Sequence, residues 1–152
     1  MSQEISSVDL KEKQHQLAKS ASILIALALG TGLYMSLVAM KAIEAEFPTV
    51  LSSHLNALLG AFWLLGVGWS LPFCRLSLPQ LTRMVQMIVV ANYANWLITL
   101  IKAHLHVAGI QMTSNWTNNL VLIALTICVV IPALWGCYLW ILGLHHSKSE
   151  IS

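Results

Sequence analysis

Residues 20–40, 51–73, 84–105 and 120–144 are four long apolar runs, and Lys102 is the only Asp, Glu, Lys or Arg within them. This pattern leaves few folds open. A bilayer crossing takes about 20 mostly apolar residues, and a lipid-embedded backbone must satisfy its own hydrogen bonds, so each run is read as a membrane-spanning helix. Composition agrees: 57% of the 152 residues are hydrophobic and 9% charged, where a soluble domain carries about a quarter charged residues. Four crossings with short connections use nearly the whole chain. The expected fold class is therefore all-α, an integral membrane four-helix bundle. Residues 1–19 form a polar N-terminal segment, 20–144 the transmembrane domain and 145–152 a tail.

The charges lie mostly between the spans, and their distribution orients the bundle. An even number of crossings places both termini on one side. That side holds Lys11, Lys13, Lys19, Arg75, Arg83 and Lys148, against Lys41 and Lys102 on the other. Positive charge favours the cytoplasmic side, so both termini are expected to be cytoplasmic. The polar lead has no small-residue cleavage site after its apolar run, so the first span is expected to stay in the mature chain. Ser6 followed by Asp9 is a capping signal for a helix continuous with that span; a frayed tail fits the same residues. Eight Lys and Arg against six Asp and Glu, without a basic run, argue against nucleic-acid binding. Cys74, Cys128 and Cys137 are an odd number, match no zinc or thioredoxin spacing and are read as free thiols.

Polar residues inside the spans are few and therefore informative. In the third span Asn92, Asn95, Thr99, Lys102 and His106 recur at intervals of three and four, which defines one helical face. Asn95 falls near the bilayer midplane, so this face must meet protein, water or a bound group rather than lipid. Asn and Thr at such positions either tie helices together or line a site, and Lys102 and His106 also fit the outer interface. His54 lies about one turn into the second span. It is either hydrogen-bonded in an interfacial layer or recruited as a metal or haem ligand. His104 with His106, and His145 with His146, lack convincing metal spacing.

The remaining marks concern packing. Ala28, Gly32 and Ser36 on the first span, with Ala57 and Ala61 on the second, are small residues that permit close helix approach within or between subunits. Trp69, Trp116, Tyr138 and Trp140 fit an aromatic belt. Pro132 frees a backbone carbonyl near Cys128 and is expected to kink the fourth span. Pro79 is placed in a tight turn spanning residues 74–83. Asn115-Trp116-Thr117 is formally a glycosylation acceptor. The spans contain no carboxylate, no Ser-His-Asp set and no phosphate loop, which argues against proton-coupled transport.

Gly30-Thr31-Gly32-Leu33-Tyr34-Met35, Leu51-Ser52-Ser53-His54-Leu55 and Tyr93-Ala94-Asn95-Trp96 together resemble the hydroxylaminobenzene mutases and the related styrene oxide isomerases, over residues 20–144. Those are small bacterial four-span membrane enzymes. The resemblance implies a multi-pass protein of the bacterial inner membrane that rearranges a small apolar aromatic compound, an aryl hydroxylamine or aryl epoxide, without net redox change. It also implies a homo-oligomer, a trimer in the isomerases, with haem b between subunits and His54 as the iron ligand by position. Asn95 would be the motif amide, and Asn92, Asn95 and Thr99 the catalytic pocket residues. Three positions depart from the isomerase pattern: Gly60, Ala91 and Thr99 stand where the isomerases have Asn, Asp and Tyr. Asn56 and Asn92 could supply amides from neighbouring positions. Tyr93-Ala94-Asn95-Trp96, together with the absence of that Asp and Tyr, leans towards the mutase branch, for which the haem is carried over from the isomerases. The alternative is a non-catalytic membrane subunit, or a small-molecule or haem-binding protein, of the same fold.

Overall fold

The computed structural model describes residues 6–145, which are helical apart from short connections. Helix α1 spans Ser7–Ala39, α2 Phe47–Ser70 and α3 Leu78–Leu105. The fourth crossing is α4 (Trp116–Leu125), a π turn (Thr126–Val130) and α5 (Ile131–His145) in unbroken succession. All four crossings are long and apolar enough to span a membrane.

Local chemistry sets the ends. Ser6 caps α1, its Oγ accepting from the Asp9 amide at 3.1 Å and donating to the Asp9 carboxylate at 2.7 Å. The lead from Ser7 onward is thus helix rather than frayed tail, and it is tied down where Gln14 Nε2 donates to the Gly68 carbonyl at 3.1 Å. A capping box between Ser77 and Gln80 starts α3, with Pro79 in its first turn. This corrects the placement of Pro79: its missing N–H is harmless there, so it begins the helix instead of turning the chain. A short 3-10 turn, Leu71–Phe73, closes α2. Beside it Cys74 is buried, which pushes its thiol up to about 11. All three cysteines are free.

Helices α1, α2 and α3 pack on one another around Leu24, Ala28, Ala57, Ala61, Leu64, Val85 and Ile88. The fourth crossing leans mainly on α3. Close approach depends on glycine, because a Cβ on Gly136 would stand 2.5 Å from Ile88 Cγ1 and one on Gly143 2.9 Å from Leu76 Cγ. Gly136→Val should lower stability by about 2 kcal/mol through overpacking. Gly66→Ala should leave it unchanged or raise it by up to about 1 kcal/mol, since nothing lies within 4 Å of that position and alanine favours helix. Thermal unfolding of the two variants in one detergent measures the contrast.

A π turn lies where Pro132 is expected to kink the span, and the helix runs through it unbroken. The carbonyl left without its usual partner belongs to Cys128, inside Thr126–Val130, and the wider turn accommodates the proline ring without breaking the helix. Trp140 is also more than a belt residue, since its Nε1 donates to Ser70 Oγ at 2.8 Å and ties α5 to the end of α2. At the opposite end, Asn118 holds the 106–115 loop by accepting from Gly109 N at 2.8 Å and donating to Gln111 O at 2.7 Å. Gly109 has φ +62°, and a side chain there would also collide with Val121. Asn115 caps α4, its Oδ1 accepting from the amides of Thr117 and Asn118.

Candidate functional site

Successive residues on a helix are turned by about 100°, so Ser53 and His54 face different neighbours. Ser53, Asn56 and Gly60 meet α3, while His54 meets α1. His54 Nδ1 lies 2.7 Å from the Ala28 carbonyl oxygen. A carbonyl only accepts, so Nδ1 carries a proton, and in the neutral ring Nε2 presents a lone pair. Nε2 makes no hydrogen bond among the described residues, and no fully enclosed side-chain nitrogen or oxygen among them lacks a partner. Nε2 therefore reaches the surface of the monomer. Gly32 gives the ring its place: a Cβ there would lie 3.3 Å from Cε1 and 3.4 Å from Nδ1. The small face predicted around Ala28 and Gly32 thus packs inside the chain, against an imidazole, whereas Ser36 is exposed.

The third-span stripe divides into two parts. Asn92, Asn95 and Thr99 lie on the seam between α2 and α3. There Asn56 Nδ2 donates to both Asn95 Oδ1 and Thr99 Oγ1 at 3.2 Å, and Thr99 Oγ1 lies 3.5 Å from Asn95 Oδ1. Lys102 instead donates to Ala108 O at 3.2 Å, and His106 ends α3 in the left-handed region at φ +52°. These two belong to the interfacial loop. His104, two positions from Lys102 and from His106 and so off the stripe, pairs with the Tyr34 hydroxyl at 2.8 Å.

One feature separates the seam from ordinary helix-tying polar contacts: three of its amide atoms make no hydrogen bond among the described residues. They are Asn56 Oδ1, Asn95 Nδ2 and Asn92 Oδ1, and each opens on the outside of the single chain because no fully enclosed atom is unpaired. Asn92 is only 6% exposed. Its Nδ2 donates to the Ile88 carbonyl at 2.8 Å, which fixes the outward atom as oxygen. An unpaired amide in hydrocarbon costs about 1–3 kcal/mol, so these atoms are poised for a partner from outside the chain.

Two neighbouring residues of the Tyr93-Ala94-Asn95-Trp96 motif have a different task. Tyr93 Oη donates to Ser20 O at 3.0 Å, and Trp96 Nε1 to Thr31 Oγ1 at 3.0 Å, anchoring α3 to α1. Ser53 Oγ in turn donates to the Trp96 carbonyl at 2.9 Å. These contacts hold Asn95 and Thr99 facing α2. His54 is not part of that group, being turned about 200° from Asn56 around α2. The structure thus brings Asn92, Asn95 and Thr99 onto one seam and leaves His54 on another face.

The fold and these two polar features define a small multi-span membrane protein whose chemistry-bearing residues lie within its spans. The family model for styrene oxide isomerase matches residues 13–145, and the chain belongs to that family. The family indicates a membrane isomerase. No curated protein and no solved structure gives a significant match.

Proposed function

We propose that this protein is a membrane isomerase that rearranges a small apolar aromatic compound, an aryl hydroxylamine or aryl epoxide, intramolecularly and without net redox change. Haem b is the proposed cofactor and His54 its ligand. The observation behind the assignment is the 2.7 Å contact of His54 Nδ1 with the Ala28 carbonyl, which in the neutral ring places the proton on Nδ1 and leaves the Nε2 lone pair without a partner on this chain among the described residues. Metal-bound histidines are commonly held this way, with the second ring nitrogen donating to a carbonyl. When bound, haem supplies a ferric iron with an open position that polarises a C–O or N–O bond.

The chain's own residues would handle the rest of the substrate. Asn95 Nδ2 is the free donor of the seam, and Asn92 Oδ1 and Asn56 Oδ1 are its free acceptors. In an apolar surrounding such dipoles act on a substrate without competition from water. Since His54 and the seam face apart on one chain, a pocket using both would draw them from neighbouring copies. This supports a homo-oligomer, with a trimer as the state in the isomerases it resembles. The substrate's apolar ring would reach the site from the lipid bilayer, in the bacterial inner membrane.

The test is purification after expression with haem available, followed by assay on aryl hydroxylamines and aryl epoxides. A Soret band with conversion of either class is the expected result. Absence of the band would overturn the haem assignment, and haem binding with inactivity on both classes would replace the enzyme with a haem-binding protein of the same fold.

A further inference from the structure

Gly60 stands at the middle of the α2–α3 seam, and its missing side chain has a specific consequence. A Cβ at this position would lie 2.5 Å from Asn92 Oδ1, 3.1 Å from Cγ and 3.2 Å from Cβ of the same residue. The Asn92 amide therefore occupies the space that any larger residue at position 60 would claim. Asn92 is nine-tenths buried, its Nδ2 is engaged by Ile88 O, and its oxygen is an acceptor without a partner among the described residues.

We propose that Gly60 is a specificity-determining residue: by carrying no side chain it lets the Asn92 amide oxygen stand in the α2–α3 seam as a free acceptor, which selects aromatic ligands that bring an O–H or N–H donor. The inference rests on reading the seam as part of the substrate site. Its chemistry is that of any acceptor that a bound ligand closes off from other partners. A ligand with a donor satisfies the oxygen, whereas one without a donor strips it of other partners and offers nothing in return. The second free acceptor, Asn56 Oδ1, and the free donor, Asn95 Nδ2, lie along the same seam. The set thus suits a ligand with donors and one acceptor better than a ligand with an acceptor alone.

Gly60→Ala is a mild test, because the closest clash is with the far end of a side chain that can swing. The added methyl should turn the Asn92 amide away and leave the helices in place. Phenol and anisole are matched probes, differing in whether the oxygen carries a proton. Their binding to the full-length protein in nanodiscs is measured by equilibrium dialysis and corrected for partition into empty nanodiscs. Phenol should bind about tenfold tighter than anisole, the value of one hydrogen bond of ordinary strength. In Gly60→Ala the ratio should fall to about one. Asn92→Leu, which keeps Gly60 and removes the acceptor, should do the same and decides the matter if Gly60→Ala does not fold. A ratio near one in the unsubstituted protein, or an undiminished ratio in the folded variants, would overturn the proposal. The probe preference is independent of haem. A missing Soret band with the preference intact removes the haem assignment alone, while a Soret band and turnover without the preference removes this inference alone.

Discussion

His54→Ala is expected to purify without the Soret band of the unsubstituted protein, and to lose turnover by about a thousandfold or more. The size follows from what is removed. Lewis-acid polarisation of a breaking bond supplies several kilocalories per mole, and each 1.4 kcal/mol is a factor of ten in rate. The imidazole has few other duties to confuse the result. It packs on Gly32 and donates one hydrogen bond, to Ala28 O. His54→Gln separates the two functions, since a glutamine amide can still donate to that carbonyl but offers no ring nitrogen. It should fold as well as the unsubstituted protein and still lack the band. Added imidazole should restore the absorption to His54→Ala, because the ring leaves a space bounded by Gly32. An unchanged Soret band in both variants would show that another residue holds the iron. Gly32→Ala gives a graded version: the ring must give by a few tenths of an ångström, so a shifted spectrum rather than a lost one is expected.

The four crossings were legible in the sequence because a bilayer imposes one length and one polarity on every span. Their ends were less so. The polar start of α1 at Ser7 lies outside the apolar run, and only Ser6 with Asp9 marked it. Residues 78–83 belong to α3 for the same reason: a capping box and a first-turn proline start the helix well before its apolar stretch. The π turn had no signature beyond Pro132, which states that a hydrogen bond is missing without stating how the backbone will adapt. The reduced contact of the fourth crossing with α1 and α2 was hidden as well, since that span is apolar on nearly every face and periodicity cannot say which of its sides meets protein.

In the site, the three-four spacing placed Asn92, Asn95 and Thr99 on one face of α3, and they do share a seam. The same spacing extended the stripe to Lys102 and His106, where helix geometry gives way to loop geometry at the left-handed His106. Periodicity holds only while the helix does. What the sequence could not reveal was the partner across the seam. Asn56 is a substitute amide without an assigned contact until Asn95 and Thr99 are found opposite it, and Gly60 reads as the loss of a family amide until the Asn92 oxygen is found in its place. The division between His54 and the seam was equally hidden, although the two-residue offset of Asn56 already places them on opposed faces of α2.

Asn95→Leu is expected to keep the haem band of the unsubstituted protein while lowering kcat/KM by about a hundredfold, the usual effect of deleting one well-placed donor in a dry site. The contrast with His54→Ala lies in the spectrum, as the residue touches no part of the His54 contact. Asn56→Leu should come close to the same loss by a different route. Asn56 holds the Asn95 oxygen at 3.2 Å, and that bond turns the Asn95 nitrogen towards the open side of the seam. Besides offering its own oxygen, Asn56 positions Asn95, and that positioning is the larger effect, so the two deletions should not add in full. The double variant should be little worse than either single one, with a coupling of about 1 kcal/mol or more in the cycle. Thr99→Val removes a hydroxyl while keeping its shape and leaves the Asn56 to Asn95 bond in place, so a few-fold loss is expected. Measurement of kcat and KM across the four variants distinguishes positioning from binding. If Asn95 acts on the transition state, kcat falls and KM stays near its original value; a rise in KM alone would mean that the seam holds reactant and transition state equally. Fully additive losses would show that Asn56 acts on the substrate through its own free oxygen, independently of Asn95.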